Sequence, residues 1–503
     1  MAEQETVGRT YSTVTDDSRL ADKSNFRQSL GLLDATMIVA GSMIGSGIFI
    51  VSADIARNVG SPGWLIFVWL ITGFMTLTAA LSYGELSGMF PKAGGQYVYL
   101  KEAYNPLVGF LYGWSFFSVI QTGTIAAVAV AFSKFTGHFF PVFEMIDASK
   151  EPAHSNILLD AGVFTIQYAH LLSIGLILLL TYINTRGVKE GKLIQTTFTI
   201  AKLSALFGLI IFGFLLAKGD AWSANWSDAW SMKNLLPSDG GGVTASEVIG
   251  TAVLGAIAAS MVGSIFSSDA WNNVTFIAGE IKNPKRNIGL SLFLGTLIVT
   301  LIYVTANLMY TYVLPMDAIA TAPKDRVATA ASQAIFGGTV GAGIIAALIM
   351  VSTFGCNNGL ILAGARVYYT MAKDRLFFKS TGHLNTNGVP AVALWIQAIV
   401  CCLWAISGRY GDLLDMISFV VVGFYMLTIA GIFILRRKRP EAERPYKAFG
   451  YPVLPVLYIL MGLAFCILLI IYKPTFTWPG LLITLAGIPI YYIAVAQNKK
   501  VTN

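Results

Sequence analysis

Twelve long stretches of this chain carry almost no charge, and that feature decides the solvent in which it folds. Their cores lie at residues 35–53, 62–84, 106–133, 164–184, 193–217, 248–279, 287–314, 339–372, 390–408, 414–435, 452–472 and 476–496. About 20 apolar residues are enough for a helix to cross the hydrocarbon core of a bilayer. The runs mix helix formers without strict alternation, which argues against a transmembrane β-barrel. Charged residues make up 12% of the 503, against roughly 25% in soluble domains. That is too little charge to cover the two or three soluble domains a chain of this length would form. The expectation is an all-α polytopic membrane protein with twelve transmembrane helices.

The same arithmetic removes other classes. A net charge of +7, carried mostly in short loops, does not make a nucleic-acid surface. Cys356, Cys401, Cys402 and Cys466 all sit in apolar stretches without zinc or redox spacing. The four histidines are scattered, so neither a metal nor any other cofactor is expected. No catalytic His/Cys/Asp cluster is visible, and an enzyme is not expected. Residues 1–28 are polar with both signs of charge and read as a disordered tail rather than a signal peptide.

An even number of spans puts both ends on one side, and basic residues say which side that is. The loops on the tail side carry 24 of the 34 Lys and Arg, the opposite loops nine, and Lys202 lies within a span. The densest cluster is Arg436, Arg437, Lys438 and Arg439 after span ten. Both termini are therefore expected in the cytoplasm, with the chain multi-pass in a plasma or inner membrane. The outward loops at 136–163, 218–246 and 315–338 are long, and the last contains a helical pattern, ATAASQAIFG. The inward stretch PKAGGQYVYLKEAYNP (91–106) reads as a short segment lying along the membrane interface.

Span one contains GSMIGSGIF, where Gly41, Gly45 and Gly47 alternate with Ser42 and Ser46 at mid-membrane. Glycines weaken a helix there. Gly41 and Gly45 also form a GxxxG, so simple helix packing is one reading. The other is an unwound hinge whose free N–H groups meet an anionic ligand group. Span six has its own break, SIFSSDAWNNVTFIAGE, with Ser267, Ser268 and Asp269 at mid-depth. A carboxylate in the hydrocarbon costs several kcal/mol on the gentlest scales, about 2.5 or more. Broken helices five spans apart are what an inverted repeat with a central binding site produces. Lys202 follows Lys192 by ten residues, about 15 Å of helix, beyond what its stem can snorkel. It should be paired or serve as a built-in cation.

These segments carry a resemblance. GSMIGSGIF, PKAGGQYVYLKEAYNP, FSSDAWNNVTFIAGEIKNPKRNI and RPEAERPYKAFGYPVLP occur in order, on the matching spans, over about residues 28–470. Together they resemble the L-type amino acid transporter (LAT) family of the amino acid–polyamine–organocation superfamily. The resemblance implies a LeuT-type 5+5 inverted repeat with broken helices one and six. The repeats would be 29–217 and 247–436, with the outer loop 218–246 between them, spans eleven and twelve at 437–497, and a tail at 498–503.

Carried onto this sequence, the resemblance makes Ser42, Met43, Ile44, Gly45, Ser46 and Gly47 the segment that holds a substrate carboxylate. Phe266 matches the aromatic that closes over the substrate. Ser267 and Asp269 match positions whose carbonyls accept from its amino group. Lys202 matches a lysine that stands in for a bound cation in sodium-independent relatives, and Asn358 an asparagine near it. Glu85 and Glu280 match acids near the inner face, read as gate or packing residues. Many relatives have tyrosine and a small residue where this chain has Ser268 and Asp269. The loop after span three has no cysteine, so no covalently linked heavy chain is expected. Asn225–Ser227 forms a sequon in an outward loop.

The implied function is sodium-independent transport of L-amino acids, neutral ones first, by exchange. Proton-coupled uptake, or sensing without transport, remain alternatives. The Asp269 carboxylate either faces the site beside the amino group, or turns away to pair with Lys202 or cap the second half-helix.

Overall fold

The computed structural model describes residues 28–146, 155–160, 165–238, 243–407 and 410–502. Most of the sequence tail, 1–27, lies outside these. Among the described residues, nine helices are long and apolar enough to cross a membrane. Leu32–Met43 and Gly47–Val59 form a tenth span, bent by 41° at its break. The shorter apolar helices Ala252–Ser267 and Ala391–Ser407 fall where spans six and nine were expected. The twelve-span reading of the sequence is thereby matched in order.

Burial divides the spans. The apolar window of Pro106–Thr136 (span three) is 89% buried, whereas that of Thr477–Ala496 in span twelve is 11% buried. Span three is the central post, and span twelve presents Leu482, Leu485, Tyr492 and Ile493 outward as a lipid-facing surface. Spans one, two, six and seven pack closely through small residues. The Cα of Gly84 on span two lies 3.5 Å from where a Cβ on Gly289 of span seven would stand. Added Cβ atoms at Gly263 of span six and Gly295 of span seven would meet Val51 and Val39 of span one at 2.1 and 2.4 Å. Without a hydrophobic drive between helices in lipid, this close packing is what holds the bundle together.

Span six is broken where its sequence suggested. After Ser267 the chain makes a turn through Ala270 (φ 61), a four-residue helix Asn273–Phe276 and one 3-10 turn. The stretch 91–106 does form a helix, Gln96–Ala103, but Gln96, Tyr97, Tyr99 and Leu100 are buried rather than laid on the interface. Two of these side chains have polar partners on other elements. Gln96 bonds Thr428 and Asn272, and Tyr97 donates to Asp374 at 2.7 Å. The last helix runs from Pro474 to Thr502, through most of the segment read as a tail. Two antiparallel strand pairs, Ile157–Asp160 with Thr165–Gln167 and Lys233–Pro237 with Val243–Glu247, lie in the loops after spans three and five. Helix Val327–Phe336 lies where ATAASQAIFG suggested one. Asn225 of the sequon is buried, donating to Thr311 and Leu314 carbonyls and accepting from Met316 N–H. It is not offered to a glycosylating enzyme.

Ion pairs tie the ends of the spans. On the face with the basic loops, Glu85 of span two is fully buried and receives Arg436 on both oxygens (3.0 and 2.7 Å), Ala448 N–H and Arg444. Glu280 pairs with the buried Arg366 of span eight at 3.1 Å, and its carbonyl accepts from Ser29 and Leu30. Both acids are buried and held in ion pairs.

On the opposite face, Asp325 joins Arg57 of span one (2.8 Å) and Lys134 of span three (3.1 Å). Burial alone would raise the Asp325 carboxyl, but the charges of Lys134 and Arg57 outweigh it and hold its pKa below the ordinary value. Asp325→Asn is expected to cost about 1 kcal/mol, read as a lower melting temperature in detergent. Because the folded-state pKa is the depressed one, this stability is present above about pH 4 and lost as pH falls through the lowered value. Wild type and variant should converge in acid; a gap that persists there removes Asp325 as its source.

Candidate functional site

Span one breaks between Met43 and Gly47. The first half ends at Met43, Ile44 takes an extended conformation, and the second half starts at Gly47. A helix C-terminus gathers unpaired carbonyls and partial negative charge, and an N-terminus unpaired N–H groups and partial positive charge. The break therefore sets one end of each sign side by side in the middle of the membrane.

The carbonyl end is filled from other spans. Lys202 of span five is fully buried, and its Nζ donates to the carbonyls of Gly41 and Ile44, both at 2.5 Å. Ser352 of span eight donates to Gly45 O at 3.1 Å, and the Cys356 thiol to Ser42 O at 3.2 Å. The Tyr303 hydroxyl of span seven lies 3.0 Å from the carbonyls of both Met43 and Ser267. One phenol thus bridges the two broken helices. The Ser42 hydroxyl, in the last turn of the first half, is buried without a partner, and Ser46 and Gly47 are buried at the start of the second half.

Gly45 and Gly47 are also points of close contact between spans. A Cβ on Gly45 would lie 3.1 Å from Cys356 Sγ, and one on Gly47 only 1.9 Å from Ser267 Oγ. The glycines let spans one, six and eight touch.

At span six, Ser267 Oγ donates back to Gly263 O at 2.7 Å, and Asp269 N–H to Phe266 O at 3.2 Å. Phe266 is buried next to the break. The Asp269 carboxylate is buried and accepts from Tyr425 OH of span ten at 2.5 Å. The pairing with Lys202 considered from sequence is not made; Lys202 serves the span-one carbonyls instead. Asn358 accepts from Asn184 of span four at 2.9 Å, while Ser352 and Cys356 are the span-eight side chains bonded to the break.

Ser42, Met43, Ile44, Gly45, Gly47, Ser267 and Lys202 are thus joined by direct contacts, with Ser46 inside the same break. Tyr303, Ser352, Cys356 and Tyr425 belong to the same constellation and were not singled out from sequence. Each is an ordinary residue in an apolar helix, without a local signal. Cys356 was weighed there only as a metal or redox ligand.

The chain is similar to the human "Large neutral amino acids transporter small subunit 2", 29% identical over 484 residues, or 94% of this chain and 82% of that protein. It is equally similar to the human "b(0,+)-type amino acid transporter 1", 29% identical over 483 residues, or 94% and 89% of the two chains. The mouse protein of the latter name is 28% identical over the same length. The family model described as amino acid permease matches residues 30–495, which includes both breaks, Lys202 and all but the end of the last span. The chain belongs to the amino acid permease family and is a multi-pass membrane protein.

Proposed function

We propose that this protein exchanges L-amino acids, neutral ones first, across a plasma or inner membrane without sodium. The observation that carries the reading is the ammonium of Lys202 on the Gly41 and Ile44 carbonyls. A fixed cation already occupies the negative end of the broken helix, where a mobile cation would otherwise be needed. The segment from Ser42 to Gly47, which leads into the N–H end of the second half, would then hold the substrate carboxylate. The carbonyls of Ser267 and Asp269 would receive the amino group, with Phe266 closing over it. The names of the similar proteins, both amino acid transporters, support the substrate class.

Alternating access fits the packing. Spans one, two, six and seven would rock as a unit against the rest, with repeats 29–217 and 247–436 as the two halves. The excess of basic residues on the tail side supports cytoplasmic termini. The cysteine-free loop after span three gives a covalent heavy chain no attachment point.

Counterflow in proteoliposomes tests the reading. Labelled leucine outside should accumulate only when unlabelled amino acid is inside, and replacing sodium by choline should change the rate by less than twofold or so, since no charge-assisted contact depends on the ion. A requirement for sodium overturns the role of Lys202. Loss of counterflow with intact pH-driven uptake replaces exchange by proton coupling.

A further inference from the structure

Asp269 and Tyr425 stand together between two small cavities, and both residues line both of them. The first cavity lies among spans three, six and ten and the helix 96–103, with Gln96, Gln121, Thr124 and Asn273 in its wall. The second lies among spans two, six, ten and eleven, with Thr76, Ser268 and Tyr458. Thr124 connects the first to the span-one break. Val128, four residues on and one helical turn or about 5.4 Å away, is 3.8 Å from where a Cβ on Gly45 would stand. A π-turn at Phe116–Ile120 adds a residue to span three beside this cavity, and both its ends, Phe116 and Ile120, line the wall. The Asn273 amide nitrogen is buried there without a partner. A ligand with its backbone groups at the span-one break has this polar cavity in front of its side chain, with Asp269 at the far wall.

The carboxylate at that wall is already taken. Tyr425 OH donates to Asp269 Oδ1 at 2.5 Å, both groups being buried. We propose that Tyr425 is a specificity-determining residue: its phenol competes with the substrate side chain for the Asp269 carboxylate. The proposal rests on the reading of the span-one break as an amino acid site. A side chain ending in a donor, such as an ammonium or amide, must displace the phenol before it can use the carboxylate. An aliphatic side chain displaces nothing. The wall thereby favours neutral apolar substrates although it contains an acid. Removing the hydroxyl alone should shift that preference, because the buried carboxylate then keeps only the Ala270 N–H and is a strong acceptor for a further donor.

The test measures how well unlabelled leucine, lysine and glutamine compete with labelled leucine in proteoliposome counterflow. In Tyr425→Phe, lysine and glutamine should gain about tenfold relative to leucine, the size of one charge-assisted hydrogen bond. In Asp269→Asn/Tyr425→Phe the gain should vanish. An unchanged ratio in a Tyr425→Phe protein that melts like wild type overturns the proposal, as does a gain that survives the double substitution. If Tyr425→Phe does not fold, Asp269→Asn alone decides. It should move the lysine-to-leucine ratio by less than about threefold, because the carboxylate is committed to the phenol. A tenfold loss for lysine would mean that Asp269 already serves substrates with Tyr425 in place. Absence of leucine counterflow in the wild type would instead fail the exchange reading itself.

Discussion

Lys202→Met is expected to reduce leucine counterflow by two orders of magnitude or more while the protein still inserts. Methionine keeps most of the stem's bulk and its apolar contacts, so span five should pack as before. What is lost is the ammonium and its bonds to Gly41 and Ile44. Hydrogen bonds to charged groups contribute about 1.5–3 kcal/mol each, and two of them correspond to roughly a hundredfold or more in an equilibrium. The carbonyls they leave are buried, where water cannot readily replace the donor. The end of the first half-helix should then drift, and with it Met43 O and the phenol of Tyr303 that links the span-one break to Ser267. Counterflow per reconstituted molecule, alongside the melting temperature, checks this. A variant that retains a third of wild-type exchange would show that Lys202 is merely a tolerated buried amine.

What the sequence made legible here was local. A cluster of Gly and Ser in an apolar run announces a break because the exception and its background are both within nine residues. Lys202 and Asp269 stand out for the same reason: a charge is conspicuous against hydrocarbon. Their partners do not stand out. Tyr303, Ser352 and Tyr425 are unremarkable on their own helices, and the helical period that assigns each to a face does not say which distant helix that face meets. Asp269 shows the consequence. Its burial was legible, but its partner lies 156 residues away on span ten. The stretch 91–106 was misread for a related reason. Gly/Pro punctuation and aromatic residues suggest a membrane interface, yet here Gln96 and Tyr97 are buried and bond to residues of other elements. The hairpin Lys233–Pro237 with Val243–Glu247 has a local signal in the sequence between its strands, the dipeptide Asp239-Gly240, which carries no hydrophobic pattern.

Gly47→Ala is expected to block exchange almost completely, and a second substitution should restore part of it. The new Cβ would lie 1.9 Å from Ser267 Oγ, 2.6 Å from its Cβ and 3.0 Å from its Cα. The hydroxyl could rotate away from its bond to Gly263 O, but the Cβ and Cα cannot move without moving the end of span six. Overpacking of this kind typically costs about 1–3 kcal/mol. Here it also pushes apart the two breaks that the Tyr303 phenol joins, so activity should suffer more than stability. Gly45→Ala should be milder, since its closest neighbours are Cys356 Sγ at 3.1 Å and Val128 Cγ2 at 3.8 Å. Ser267→Gly removes the Oγ and Cβ and leaves only the 3.0 Å approach of the Cα. Gly47→Ala/Ser267→Gly should therefore recover counterflow relative to Gly47→Ala, measured as a double-mutant cycle. If Ser267→Gly rescues nothing, the space beside Gly47 is required by the substrate carboxylate itself, and the glycine is a binding residue rather than the contact point between two broken helices.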